Sequence, residues 1–232
     1  MKSIKKDVEA TRPSVLVIDD DELFGRSIAR VLDGEGYNTA TYDSLAQLSA
    51  AKDIPQLGCA ILDLNLADSD GLQIQECLRK LAPTLAVIFV TGFGRVSSSV
   101  RAMKAGAVDF LEKPVEDATL LQTVERAIEQ STTLFRERRE LQDLHRRLKS
   151  LSQREREVFA LISSGLLNKQ AGAELGITEK TVKVHRAQVM AKMGANSFAE
   201  LVKSAQRLGL SFTSLPRARE WLAQANSSKT SR

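Results

Sequence analysis

The chain has 232 residues, 43% hydrophobic and 27% charged, which suits one large domain or two ordinary ones with real cores. The longest apolar stretch, LAVIFV at 85–90, is far too short to cross a bilayer. The net charge of +4 hides an asymmetry: residues 1–129 hold 14 Lys and Arg against 20 Asp and Glu, whereas 130–232 hold 19 against 9. An acidic half (net −6) and a basic half (net +10) imply two domains with different partners, the second a nucleic-acid candidate.

Residues 1–13, MKSIKKDVEATRP, lack the apolar segment of a secretory signal and read as a disordered leader. Cys59 and Cys77 have no metal-ligand spacing and read as reduced core residues of a cytoplasmic protein with no membrane partner. Strand-like runs follow at VLVID (15–19), NTATYD (38–43), CAILD (59–63), LAVIFVT (85–91) and VDFL (108–111). Helical patterns at about 22–34, 44–51, 71–81, 96–105 and from 117 onward separate them. Five βα units in succession predict an α/β fold, a doubly wound five-stranded parallel sheet of order 2-1-3-4-5.

Sites in such sheets form outside the carboxyl ends of the strands. The first strand ends at Asp19-Asp20, the third at Asp63 and the fourth at Thr91, and Lys113-Pro114 follow the fifth. Three carboxylates, a hydroxyl and an ammonium therefore converge on one rim. Carboxylates this close repel unless something positive lies among them, and a hard cation such as Mg2+ favours oxygen ligands. Asp21 and Glu22 read instead as cap and first turn of the following helix, and Asp68 and Asp70 as residues shaping the turn before Gly71.

Beyond this domain, Leu134, Leu141, Leu144, Leu148 and Leu151 recur at coiled-coil-like spacing within a polar helix, 131–150. At barely two heptads, a dimer seam and a connecting helix packed on its own protein stay equally open. Residues 152–209 are helical throughout, with turns at GLLN (165–168), LGIT (175–178) and GANS (194–197). A tail, 211–232, ends in NSSKTSR and reads as disordered, with Trp221-Leu222 able to dock on the last helix.

VIDDDE (17–22), LDLNLADSDG (62–71), VTGFG (90–94) and AGAVDFLEKP (105–114) resemble the receiver domain of bacterial response regulators. LSQREREVFALISSGLLNKQ (151–170) and LGITEKTVKVHRAQVMAKMGA (175–195) resemble the LuxR-type DNA-binding domain. In this order they resemble the FixJ/NarL family, a receiver at 14–130 joined by a long helix to an all-α helix-turn-helix domain at 151–210. The resemblance implies a response regulator, not an enzyme, that takes a phosphoryl group from a histidine kinase on Asp63. Asp20 is then a direct Mg2+ ligand and Asp19 acts mainly through water, with Asp63 and the carbonyl of Asn65 completing the set. Lys113 pairs with the phosphoryl oxygens, Thr91 donates to one of them, Phe110 turns inward on switching, and the peptide before Pro114 is cis. Dimerisation on phosphorylation, double-stranded DNA and RNA polymerase are the further implied partners.

Two residues depart from the family where proline is common, Ala67 after the acceptor and Ser97, and neither removes a chemical group from the rim.

GLLNKQAGAELGITEKTVKVH reads as a helix-turn-helix, with Gly176 at the turn, Thr178 as cap and a recognition helix at 179–192. Lys180, Lys183, Val184, Arg186, Ala187 and Gln188 lie on its exposed face. By resemblance Lys183, Val184 and Ala187 read bases, with Gln188 alongside and Arg186 turned aside. Lys169, Lys180, Thr181, His185 and Lys192 hold phosphates or the fold. Neither His145 nor His185 has a partner spaced for metal binding. Ala171-Gly172 replace the family's usual Ile-Ala, so a less stable supporting helix is expected. Two other readings stand: an adaptor whose weakened helix-turn-helix binds protein, and a phosphatase. The second is disfavoured by Asn65, which occupies the place of its acid.

Overall fold

The structure, a computed structural model, describes residues 13–51, 53–67, 70–92, 101–210 and 220–221. The leader, Asp68, Ser97, Leu222 and the NSSKTSR terminus lie outside the described residues. The chain divides into two compact units, one ending at Arg138 and the other beginning at Arg139.

In the first unit, β1 (Ser14–Ile18), β2 (Asn38–Tyr42), β3 (Gly58–Asp63), β4 (Ala86–Thr91) and β5 (Asp109–Glu112) form one parallel sheet. Its order is β2-β1-β3-β4-β5, as the alternation of elements predicts. Each strand end falls within a residue or so of the apolar run that marks it, because β3 and β4 are buried along their whole length. Side chains alternate between two cores with the period of a strand. Leu16, Ile18, Leu62 and Phe89 meet Leu48 of α2 (Leu45–Ala50) and Ile74 and Leu78 of α3 (Gly71–Leu81). Val15, Val17, Ile61 and Ile88 meet Ile28 and Leu32 of α1 (Glu22–Gly34) and Leu120 and Val124 of α4 (Asp117–Ser150). Of the expected helix at 96–105, the described part, 101–104, is helical.

α4 runs unbroken for 34 residues. Its last turns belong to the second unit: Leu144 and Leu148 pack against that core, in which Leu151, just past the helix, is buried. The leucine spacing is therefore spent, over 144–151, on packing within the chain. Arg147 adds a bond to the Met193 carbonyl, at 2.9 Å, closing the end of a later helix.

That unit consists otherwise of α5 (Gln153–Ser163), α6 (Asn168–Leu175), α7 (Glu179–Met193) and α8 (Phe198–Arg207). Phe159, Val182, Val189 and Leu201 form its centre. Trp221 meets Phe159 of α5 edge-on, ring centroids 6.4 Å apart, so it docks on this core rather than on α8 alone. Gly176 closes α6 in the left-handed conformation, φ 65°. Gly172 has a reason that helix propensity does not reveal. A Cβ there would stand 2.8 Å from the Ile177 carbonyl oxygen, while the Gly172 carbonyl accepts from the Ile177 N–H at 3.0 Å. The turn sits directly on the helix, and both Ala171 and Gly172 are buried. Glycine at 172 is thus matched to the close approach of the turn.

Candidate functional site

β1, β3 and β4 end on one rim, and the loops beyond them aim the polar groups. Asp19 is 5% exposed and Asp63 8% exposed, whereas Asp20 faces solvent. Carboxylate oxygens of the three lie within 4.8 Å of one another, an all-oxygen set compatible with Mg2+. The Lys113 ammonium sits between the two buried members. It donates to Asp19 Oδ2 at 2.6 Å and to Asp63 Oδ2 at 2.8 Å. Phe24 of α1 lies beneath it, the ring centroid 4.0 Å from Nζ. The peptide before Pro114 is cis, and the Lys113 N–H donates to the Thr91 carbonyl at 2.9 Å.

The second oxygen of each buried carboxylate meets a backbone amide: Asp21 N–H donates to Asp19 Oδ1 at 2.9 Å, and Asn65 N–H to Asp63 Oδ1 at 3.0 Å. The Asn65 side-chain amide donates to the Thr91 hydroxyl, at 3.4 Å. Burial pushes the Asp19 carboxyl above its ordinary value of 3.8, against the opposing bonds from Lys113 and the Asp21 amide. Burial pulls the Lys113 ammonium the other way, yet its bonds to Asp19 and Asp63 outweigh this and raise it above 10.5. The rim thus keeps a charged lysine among carboxylates.

Residues assigned to caps do cap. Asp21 accepts from Leu23 and Phe24 at the start of α1, and Asp70 from Leu72 at the start of α3. Phe110 is half-buried against the core that contains Phe89. Ala67 donates its N–H to Asp20 Oδ2 at 2.9 Å. Proline has no such donor. Sequence reading missed this bond and the Phe24 platform, since neither a backbone donor nor a ring beneath a lysine leaves a motif.

In the second unit α7 presents Lys180, Lys183, Val184, Ala187 and Gln188 to solvent, and Lys169 is exposed on α6. Lys183 pairs with Glu179 one turn earlier, at 3.0 Å. Thr178 caps α7 through the Thr181 N–H, and the two hydroxyls are 2.9 Å apart. Arg186 is turned aside, as expected: it donates to Asn168 Oδ1 at 3.1 Å and covers the Phe198 ring at 5.3 Å. These contacts hold its guanidinium against the fold. Lys192, expected to hold phosphates or the fold, is paired with Glu155, a buried carboxylate of α5.

A doubly wound sheet with an acidic rim and a basic helix-turn-helix unit define a two-domain signalling regulator. The profile for "Response regulator receiver domain" matches residues 15–125, and that for "Bacterial regulatory proteins, luxR family" matches 149–205. The chain belongs to the two-component response regulators of the FixJ/NarL type, with a receiver domain and a LuxR-type DNA-binding domain. It is 39% identical over 206 residues to Nodulation protein W of Bradyrhizobium diazoefficiens, covering 87% of this chain and 89% of that one. It is 39% identical over 193 residues to the transcriptional regulatory protein FixJ of Rhizobium meliloti, covering 83% and 94%. Among solved structures, response regulator StyR superposes with a TM-score of 0.75 at 34% identity, over 85% of this chain and all of that one. Among the described residues, no helix is long and apolar enough to cross a membrane.

Proposed function

We propose that Asp63 accepts a phosphoryl group from a histidine kinase and that this modification controls dimerisation and sequence-specific DNA binding. The observation that carries the reading is the Lys113 ammonium held at 2.6 and 2.8 Å from Asp19 and Asp63, with Asp20 beside them. A carboxylate becomes a useful nucleophile towards phosphorus when positive charge is fixed where the incoming oxygens will lie.

Asp63 supplies the attacking oxygen; the bond from phosphorus to the donor nitrogen breaks as the bond to that oxygen forms. Lys113 remains paired with the new phosphoryl oxygens, and the Thr91 hydroxyl donates to one of them. Asp19, Asp20, Asp63 and the Asn65 carbonyl would hold Mg2+, which neutralises the charge that accumulates at the transferring group. Such transfer needs positioning rather than a strong base. The product adds about −1.5 to −2 charges at a single point. Thr91 and Phe110 respond to it, the surface they support changes, and two receivers pair.

Pairing delivers two DNA-binding units, each formed from Arg139 onward in a cytoplasmic regulator. Lys183, Val184 and Ala187, with Gln188 alongside, enter the major groove, while Lys169 and Lys180 neutralise phosphates. RNA polymerase is a downstream partner of DNA bound in this way. A small phosphodonor with Mg2+ should raise the affinity of the full chain for its operator. Asp63→Asn should be unresponsive to the donor; an equal rise in that variant would refute the reading.

A further inference from the structure

Asp19 and Asp63 share the Lys113 ammonium, but Asp20 does not. Among the described residues, the hydrogen-bond donor to the Asp20 carboxylate is the Ala67 backbone N–H, at 2.9 Å across 47 residues of sequence. This bond ties the loop after β3 to the loop after β1, directly over the rim. The residues before the donor are anchored. Leu66 is buried beside it, Leu64 is buried two residues earlier and its carbonyl accepts from Gly71 N–H at 3.0 Å, and Asn65 bridges to Asp70. Ala67 itself is exposed, so the amide meets Asp20 at the solvent edge of the rim.

The same carboxylate is one of three whose oxygens converge closely enough to share a cation. An N–H bonded to a carboxylate oxygen occupies one of its lone pairs and reduces the negative charge that the group offers a cation. The two uses of Asp20 oppose each other.

We propose that the Ala67 amide is a positioning group that holds Asp20 in the metal-free protein and competes with the divalent cation for it. Loading the rim then releases the Ala67 amide. The inference rests on the reading of the rim as a Mg2+ site and deepens it, because it makes the loop after Asp63 a reporter of occupancy. Any residue but proline at position 67 supplies the donor; proline removes it without touching a side chain.

The test combines Mg2+ titration calorimetry with residue-resolved amide exchange on the full chain. In chelator-treated protein the Ala67 amide should exchange slowly, and saturating Mg2+ should accelerate it. Ala67→Pro should bind Mg2+ about 3- to 10-fold tighter, the range of one solvent-accessible hydrogen bond. Asp20→Asn should weaken Mg2+ binding and erase the difference between Ala67 and proline. If the proline disturbs the loop, the exchange measurement on the unmodified chain decides alone. Mg2+ binding that leaves Ala67 protected overturns this inference and leaves the metal site standing, as does a proline that weakens the affinity without disturbing the loop. No Mg2+ binding, or binding indifferent to both Asp20→Asn and Asp63→Asn, overturns the metal site and the inference together.

Discussion

Lys192 donates to both carboxylate oxygens of Glu155, at 2.9 and 2.7 Å, so the last turn of α7 is fastened to the first turn of α5. Glu155 also accepts from the Ser152 N–H, at 2.6 Å, within a capping box. One buried carboxylate therefore starts a helix and positions the recognition helix. Burial pushes the Glu155 carboxyl up, but the bonds from Lys192 and Ser152 outweigh it and hold the group below its ordinary 4.5. A carboxyl lowered on folding stabilises the folded state above its unfolded value and loses that contribution as pH falls through the folded one.

The second unit should accordingly lose stability steeply once the pH drops below about 4.5. Glu155→Gln should flatten that limb. Lys192→Ala should cost about 1–3 kcal/mol at neutral pH, since it strips a buried carboxylate of its ammonium. Denaturation followed by the fluorescence of Trp221, the sole tryptophan, reports on this unit.

DNA binding should divide the lysines differently. Lys183→Ala should cost about 1–3 kcal/mol on the operator and relax preference at one base pair. Lys169→Ala should weaken all sequences alike and lower the slope of log affinity against log salt by about 1. Lys192→Ala, its charge already offset by Glu155, should leave that slope nearly unchanged. Titrations against operator and scrambled DNA at several salt concentrations separate the three.

Gly172→Ala should destabilise the second unit, although alanine is the better helix former by about 1 kcal/mol. The added methyl meets the Ile177 carbonyl oxygen at 2.8 Å and must push the turn from the helix. Overpacking of this kind costs about 1–3 kcal/mol. A raised unfolding midpoint would show that the turn yields freely.

The order of the sheet was legible because fully buried strands such as CAILD leave continuous apolar runs, and the acidic rim was legible because strand ends converge in a doubly wound sheet. The leucines of α4 were ambiguous for a physical reason: an intermolecular seam and an intramolecular face require the same spacing. Only packing shows that Leu144, Leu148 and Leu151 serve their own unit. The Glu155–Lys192 pair spans 37 residues, and either partner alone reads as a solvated charge. Gly172 read as a defect because helix propensity knows nothing of the carbonyl that approaches it.

Packing of those leucines bears on assembly. With 144–151 engaged in the chain's own core, the unphosphorylated protein should sediment as a monomer and shift to dimer on phosphorylation. Operator affinity should rise with it through bivalence, on half-sites about 10 bp apart. A dimer before phosphorylation, abolished by Leu134→Ala or Leu141→Ala, would return the seam to α4.

The most direct test of the account is to incubate the full chain with a small phosphodonor and Mg2+ and locate the label by peptide mapping. The account predicts one acid-stable, base-labile phosphoryl group on Asp63, lost in Asp63→Asn and strongly reduced in Lys113→Ala and Asp20→Ala. Undiminished labelling of Asp63→Asn, or label on a residue away from this rim, would contradict it.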